Sequence, residues 1–156
     1  MKNQKYSSKD TSINKTKLPA IYGILKRWGV FSDKSMVLDY GCGKYFDSYN
    51  LGDNFKGYDP FNYDREENLN NHYDMAILSN VLNVIYEDDI RHEILETLKT
   101  LADTVYITVY EGKRNGVGTV TKKDCYQLNR KVREYLPEVR EVFSDVTLKN
   151  GVIICK

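Results

Sequence analysis

The chain has 156 residues, which suits one domain with a buried core. Apolar side chains make up 41% and charged ones 29%, an ordinary balance for a soluble globular protein. The 23 basic and 22 acidic side chains leave a net charge of +1, so global charge points to no partner.

Charge is uneven along the chain. Residues 2 to 34 are mostly basic, and the middle from Glu66 to Asp103 is acidic. Residues 113 to 133 carry Lys113, Arg114, Lys122, Lys123, Arg130, Lys131 and Arg133 against Asp124 alone. Such a segment is where a nucleic acid would lie, although solvated helix and loop faces look the same. The cysteines, Cys42, Cys125 and Cys155, are odd in number and far apart. They suggest neither a disulfide framework nor a zinc site, and a reduced, cytoplasmic setting is expected. No metal ligands stand out. No apolar segment is long enough to span a membrane, and the polar N-terminus does not read as a signal peptide.

Residues 1 to 12 are polar and aperiodic, so a flexible tail is expected, followed by a single domain over residues 13 to 156. Leu18, Ile21, Leu25 and Trp28 recur at helical spacing and predict a helix from Ile13 to Trp28, with Pro19 in its first turn and Gly29 after its end. Met36 to Asp39 is a short buried strand. Lys44 to Leu51 has room for a two-turn helix before Gly52-Asp53-Asn54 breaks it. Phe55 to Tyr58 is a second strand, and the Asn-rich passage after it holds no apolar run long enough for another. Met75 to Leu78 reads as a buried parallel strand ending at Ser79-Asn80. Glu87-Asp88-Asp89 opens a helix whose face is Ile90, Ile94, Leu98 and Leu101. Thr104 to Tyr110 is a further strand. Cys125, Leu128, Val132 and Leu136 share a helical period, which predicts a helix from Thr121 to Leu136 ended by Pro137. Two strands, Glu141 to Leu148 and Val152 to Cys155, close the chain around the hairpin signal Asn150-Gly151.

Alternating strands and helices call for a Rossmann-like, mostly parallel sheet covered on both faces, with a C-terminal antiparallel hairpin. The ligand crevice of such a sheet lies at the carboxyl ends of its strands. Asp39 to Gly43, Asp59, Ser79-Asn80 and Tyr110-Glu111 all fall there. In Val37-Leu-Asp-Tyr-Gly-Cys-Gly43 an acidic strand tip leads into a glycine turn, where backbone can approach a ligand closely. Asp59, twenty positions after Asp39, ends the second strand and suggests a ribose clamp. A dinucleotide fingerprint would need glycine at the sixth position of the turn, where Phe46 stands.

Asp39-x-Gly41-x-Gly43, Gly57-Tyr58-Asp59 and Asp74-Met-Ala-Ile-Leu-Ser-Asn80 together resemble the motifs of class I S-adenosylmethionine-dependent methyltransferases, over residues 13 to 156. The resemblance implies S-adenosylmethionine as cofactor, contacted by Asp39, Gly41, Cys42, Gly43, Tyr45, Asp59, Pro60, Ser79 and Asn80. Gly41 and Gly43 would line its methionine portion, Asp59 would take the ribose hydroxyls, and Ser79 and Asn80 would sit near the sulfonium. Asp-Tyr-Gly-Cys-Gly, Tyr-Asp-Pro-Phe and Val-Leu-Asn-Val-Ile are also similar to small methyltransferases linked with DNA phosphorothioation loci and mobile elements. The sequence departs from the family pattern in two places. Tyr45 replaces a small residue in the first motif, where its ring either covers the cofactor or obstructs the site. Only Pro60 to Tyr73 separates the second strand from Asp74, so the usual third strand is reduced or absent, and with it the acidic residue that would hold the adenine. Glu66, Glu67 and Asn68 are the substitutes at hand.

Ser79-Asn80-Val81-Leu82 is not the Asp/Asn-Pro-Pro-aromatic motif of amino-directed DNA methyltransferases, and no Pro-Cys nucleophile is present. The acceptor is then a small molecule, an RNA or a protein. Asn83, Tyr86, Tyr110 and Glu111 lie near strand ends, while His72 and His92 lack an evident partner. No catalytic residue is singled out. The alternative is an idle methyltransferase-fold protein that binds nucleic acid or a partner protein.

Overall fold

The computed structural model describes residues 4–11 and 17–156. Its centre is a six-stranded sheet in the order β2-β1-β3-β4-β8-β7. Strands β1 (Val37–Tyr40), β2 (Phe55–Tyr58), β3 (Tyr73–Ser79) and β4 (Ala102–Thr108) run parallel. Strands β7 (Val146–Lys149) and β8 (Val152–Cys155) run antiparallel and finish one edge. Asn150 and Gly151 join them with φ of 49° and 77°, the paired left-handed geometry that Asn-Gly favours in a two-residue hairpin.

The strands are apolar at consecutive positions because both sheet faces are covered. Val37, Met75, Ile77, Tyr106 and Val152 pack on one face with Ile21, Tyr22 and Leu25 of helix α1 (Ala20–Arg27). Leu38, Ala76, Leu78, Val105, Ile107 and Ile153 point the other way. They meet Ile90, Ile94, Leu95 and Leu98 of α2 (Asp88–Leu101) and Val139 and Val142 of α3 (Leu136–Val142). Ile94, Leu95 and Leu98 are at most 1% exposed, and each such side chain contributes about 1.5–3 kcal/mol by burial. Asp88 and Asp89 lie in the first turn of α2, at the positive end of its dipole.

The predicted helix over residues 121 to 136 is not formed. Gly118–Lys122 and Cys125–Leu128 are instead strands β5 and β6 of a separate antiparallel hairpin, turned at Lys123-Asp124 with Asp124 at a φ of 58°. β-branched Thr119, Val120 and Thr121 and the aromatic Tyr126 prefer the extended state. A side chain at Gly118 would run into the Tyr126 ring, so glycine lets that ring lie across the hairpin. Pro137 begins α3 rather than ending a helix, since its fixed φ suits a first turn. The strand expected from Glu141 is confined to Val146–Lys149, because α3 runs to Val142. The short helix expected after the glycine turn is a single 3₁₀ turn, Phe46–Tyr49. The first helix starts at Ala20, after Pro19, and residues 13–16 of its expected span lie outside the described residues.

No third strand pairs with β2 among the described residues. A 3₁₀ turn, Glu66–Asn70, covers that edge, and Asn68 Nδ2 donates to the Gly57 carbonyl at 2.8 Å. Residues 4–11 fall in the segment expected to be a tail, yet they lie against the rest of the chain. Ser8 is 5% exposed, and the Tyr6 ring stacks on Tyr126 at 5.6 Å.

Candidate functional site

The tips of β1, β2 and β3 meet at a cavity of about 130 Å³. Its wall contains each residue that the resemblance would place against a cofactor: Asp39, Gly41, Cys42, Gly43, Tyr45, Asp59, Pro60, Ser79 and Asn80. The strands bring them together in register, with Asp39 opposite both Gly57 and Ile77.

The glycine turn is built by backbone needs. Gly41 and Gly43 sit at φ of 79° and 72°, where a side chain is strained. A Cβ on Gly41 would also collide with Val81, so glycine lets β1 and the post-β3 loop touch. Phe46 holds the place where a dinucleotide fingerprint has its third glycine, and the small residue opposite it is Gly57. A Cβ there would stand 2.7 Å from the Phe46 ring and 2.9 Å from Cys42 Sγ.

Asp59 ties the turn to its neighbour loop. Its Oδ2 accepts from Gly43 N–H at 3.1 Å, and its Oδ1 accepts from the N–H groups of Phe61 and Asn62 at 3.0 and 2.9 Å. Oδ1 also takes the Asn62 side-chain amide at 3.3 Å. The expected ribose clamp is thus already a structural buckle, with Oδ2 the less committed of its two oxygens.

Asp39 is 2% exposed and accepts from the Tyr22 hydroxyl at 2.7 Å. Burial lifts its carboxyl to about 7, the Tyr22 hydrogen bond pulls it down, and the Asp59 charge adds to the rise. Burial, then Asp39, pushes the Tyr22 phenol far up, so it remains a neutral donor. Burial first, then Asp39 and Asp59, likewise pushes the Cys42 thiol up, which makes it a neutral wall residue rather than a nucleophile. Asn80 is left-handed, with a φ of 60°, and its N–H donates to Thr108 O at 2.8 Å. Ser79 Oγ receives the Thr108 hydroxyl at 3.3 Å. Tyr45 is half-buried in the wall, with Lys44 Nζ 5.4 Å from its ring centroid.

Other residues named from sequence lie off the cavity wall. Asn83 is buried and donates to Gln127 Oε1 at 3.1 Å, joining the post-β3 loop to β6. Glu111 holds the loop before β5, accepting from Val132 N–H at 2.8 Å and pairing with Arg114 at 2.6 Å. Tyr110 is exposed, and Tyr86 is edge-on to Tyr126. His72 pairs with Asp103 at 2.9 Å on the surface, and His92 lies near Glu96 and Glu141. Glu66, Glu67 and Asn68 do not reach the cavity, whereas Phe61 and Asn62 do.

Sequence reasoning missed Tyr22, Asn62 and the stretch Gln4 to Thr11, of which Gln4, Ser7, Ser8, Lys9 and Thr11 line the cavity. A signal existed for Tyr22: it stands beside Ile21 on the apolar face of α1, and a buried tyrosine hydroxyl needs a partner. Among the described residues no cluster of metal-ligating side chains is present, and no helix is long and apolar enough to cross a membrane.

No family model matches the chain, and no curated protein matches it in sequence. Solved structures do resemble it. A candidate O-methyltransferase from Nostoc punctiforme PCC 73102 superposes with a TM-score of 0.54 at 14% identity, over 86% of this chain and 55% of that one. The chain thus spans little more than half the length of that protein. Magnesium protoporphyrin IX methyltransferase (ChlM) from Synechocystis PCC 6803, with bound S-adenosylhomocysteine, gives a TM-score of 0.53 at 16% identity, over 87% and 78% of the two chains. The same enzyme with bound S-adenosylmethionine gives 0.50 at 16% identity, over 87% and 74%. At these identities the likeness is one of fold: the chain has the Rossmann-like α/β fold of methyltransferases, with its C-terminal antiparallel strand pair.

Proposed function

We propose that the chain is an S-adenosylmethionine-dependent methyltransferase with the cofactor at the tips of β1, β2 and β3. The observation that carries this reading is the shared wall of two carboxylates, Asp39 and Asp59, and two left-handed glycines, Gly41 and Gly43. The fold neighbours that hold the cofactor or its product support it. The residues fit such a ligand chemically. The carboxylates can accept from hydroxyl and ammonium groups, the glycine turn permits close approach, and Phe61, Val81 and Ile85 add apolar surface.

Bound there, the cofactor supplies an electrophilic methyl group together with its own leaving group. The chain's part is then to position, orient and exclude water. Asp39 and Asn80 hold fixed geometry through Tyr22 and Thr108. No histidine lines the cavity, so a proton that must leave the acceptor has Asp39 or Asp59 as its nearest carboxylates.

The acceptor is a small molecule, an RNA or a protein. A second reading, an idle fold that binds nucleic acid, is favoured by the β5–β6 hairpin, where exposed Lys113, Lys122 and Lys123 accompany exposed Tyr110, Val117 and Val120. The motif similarity to methyltransferases of phosphorothioation loci makes nucleic acid an acceptor to include in any assay.

Calorimetry with S-adenosylmethionine and S-adenosylhomocysteine tests the first reading. Binding is expected, and Asp59→Ala should weaken it tenfold or more, about 1.4 kcal/mol. No heat at millimolar ligand would remove the enzyme reading. Transfer of labelled methyl to RNA, protein or metabolite fractions then identifies the acceptor.

A further inference from the structure

The cavity has a second wall that comes from the start of the chain. Five residues between Gln4 and Thr11 line it. This stretch is tied down on both sides of the cavity. On one side Ser8 N–H donates to Asp124 O at 2.8 Å, in the turn of the β5–β6 hairpin. Ser8 Oγ donates to Val84 O at 2.9 Å and accepts from Tyr126 N–H at 3.3 Å. Lys5 N–H donates to Glu87 Oε1 at 2.6 Å. Tyr6 completes this anchor, stacked on Tyr126 and edge-on to Tyr86 with centroids 5.8 Å apart. On the other side Lys9 O accepts from Asn62 Nδ2 at 3.5 Å, and that same amide reaches Asp59 Oδ1.

Ser8 carries the bend. Its φ of 50° is a left-handed conformation that a serine keeps only when its surroundings hold it. Those surroundings are the two loops that flank the cavity. The hairpin, which no strand of the main sheet pairs with, gains a purpose as the platform on which the stretch docks.

We propose that residues 4–11 form a strap that completes the cofactor site, with Ser8 as the positioning residue, so that ligand exchange requires the strap to leave the Tyr126–Val84 platform. This rests on the methyltransferase reading. The strap walls the bound ligand from water, with Ser7, Lys9 and Thr11 lining the same cavity as Asp39 and Asp59. A strap held by a few polar contacts and one aromatic stack opens at lower cost than the sheet it covers.

The full-length chain tests this with the double variant Tyr6→Ala/Ser8→Gly, in which glycine keeps the left-handed bend but drops the hydroxyl contacts. S-adenosylhomocysteine should dissociate at least tenfold faster from the variant in rapid competition. In the wild type, amide exchange at Ser8 and Thr11 should slow at least tenfold when S-adenosylhomocysteine is added. Should the double variant fail to fold, Tyr6→Ala alone should give a smaller acceleration in the same direction. Wild-type release from a folded variant, or strap amides indifferent to ligand, overturns the strap while leaving the methyltransferase reading intact. Absence of S-adenosylhomocysteine binding to the wild type overturns that reading, and the strap with it.

Discussion

The two walls of the cavity are built by different means. The inner wall, from Asp39 to Gly43 and on to Asp59 and Asn80, follows from local rules. Apolar runs make the strands, glycines make the turn, and carboxylates end the strands. The outer wall, from Gln4 to Thr11, is held by contacts between residues far apart in the chain. Ser8 meets Val84 across 76 positions and Tyr126 across 118. Steric necessity fixes the inner wall, whereas the outer wall has only polar and aromatic contacts to hold it. The inner wall should therefore be intolerant of small changes and the outer wall tolerant of larger ones.

The largest effect is expected at Gly41. Gly41→Ala forces alanine into a left-handed φ, at about 1–2 kcal/mol, and drives its Cβ into Val81, at about 1–3 kcal/mol for overpacking. Chemical denaturation should show a loss of about 2–5 kcal/mol. In a Val81→Ala background the same substitution should cost only the backbone part, because the collision partner is gone. An equal cost in both backgrounds would show that the turn is not wedged against the post-β3 loop.

Asp39 separates the walls by pH. Burial lifts its carboxyl to about 7 from an unfolded value near 4, roughly 3.9 for a free aspartate. Between those values the folded chain holds a proton that the unfolded chain has released. The group's contribution to stability is therefore greatest below about pH 4 and is lost as pH rises toward 7. The slope is at most about 1.4 kcal/mol per pH unit. Asp39→Asn, which cannot ionise, should gain stability relative to wild type as pH goes from 4 to 8. Parallel stability curves for the two proteins would mean that Asp39 titrates normally. The hydrogen bonds of Ser8 end on Asp124, Val84 and Tyr126 and not on Asp39, so strap variants that leave Asp39 buried should keep that pH slope.

The same division explains what could be read from the amino acids. The parallel sheet, its closing hairpin and the meeting of Asp39 to Gly43, Asp59 and Asn80 at the strand tips were legible, because the period of burial and the glycine-acid spacing are written in consecutive residues. The β5–β6 hairpin was not. Cys125, Leu128, Val132 and Leu136 keep a helical period by coincidence, since the first two are buried in a strand and the others follow a loop. The helical period decided that reading, whereas in the fold Asp124 takes a left-handed φ and turns the chain into a hairpin. Residues 4–11 offered even less. Their polar composition matches a tail, and only the distant Tyr126, Val84 and Asn62 turn it into a wall. Asp59 shows a third case: its place at a strand tip was legible, whereas its bonds to Gly43, Phe61 and Asn62, which make it structural, were not.

The smallest effect is expected in the aromatic anchor, and it bears most directly on how the outer wall is held. Tyr6, Tyr86 and Tyr126 meet pairwise at 5.2 to 5.8 Å, with one stacked and two edge-on contacts. Such pairs are worth about 0.5–1.5 kcal/mol beyond the area they bury. Tyr86 is 48% exposed, so its share should fall at the lower end, while Tyr126 is 8% exposed and also packs into the core. A double-mutant cycle with Tyr6→Ala and Tyr126→Leu isolates the stack, because leucine keeps most of the core volume without the ring. A coupling of about 1 kcal/mol is expected in the local opening of residues 4–11, read by amide exchange at Ser8. Proteolytic cutting within residues 4–11 should rise in Tyr6→Ala without any matching fall in the denaturation midpoint. Cleavage that tracked global unfolding instead would mean that the two walls come apart together, and the contrast between them would then be one of origin and not of stability.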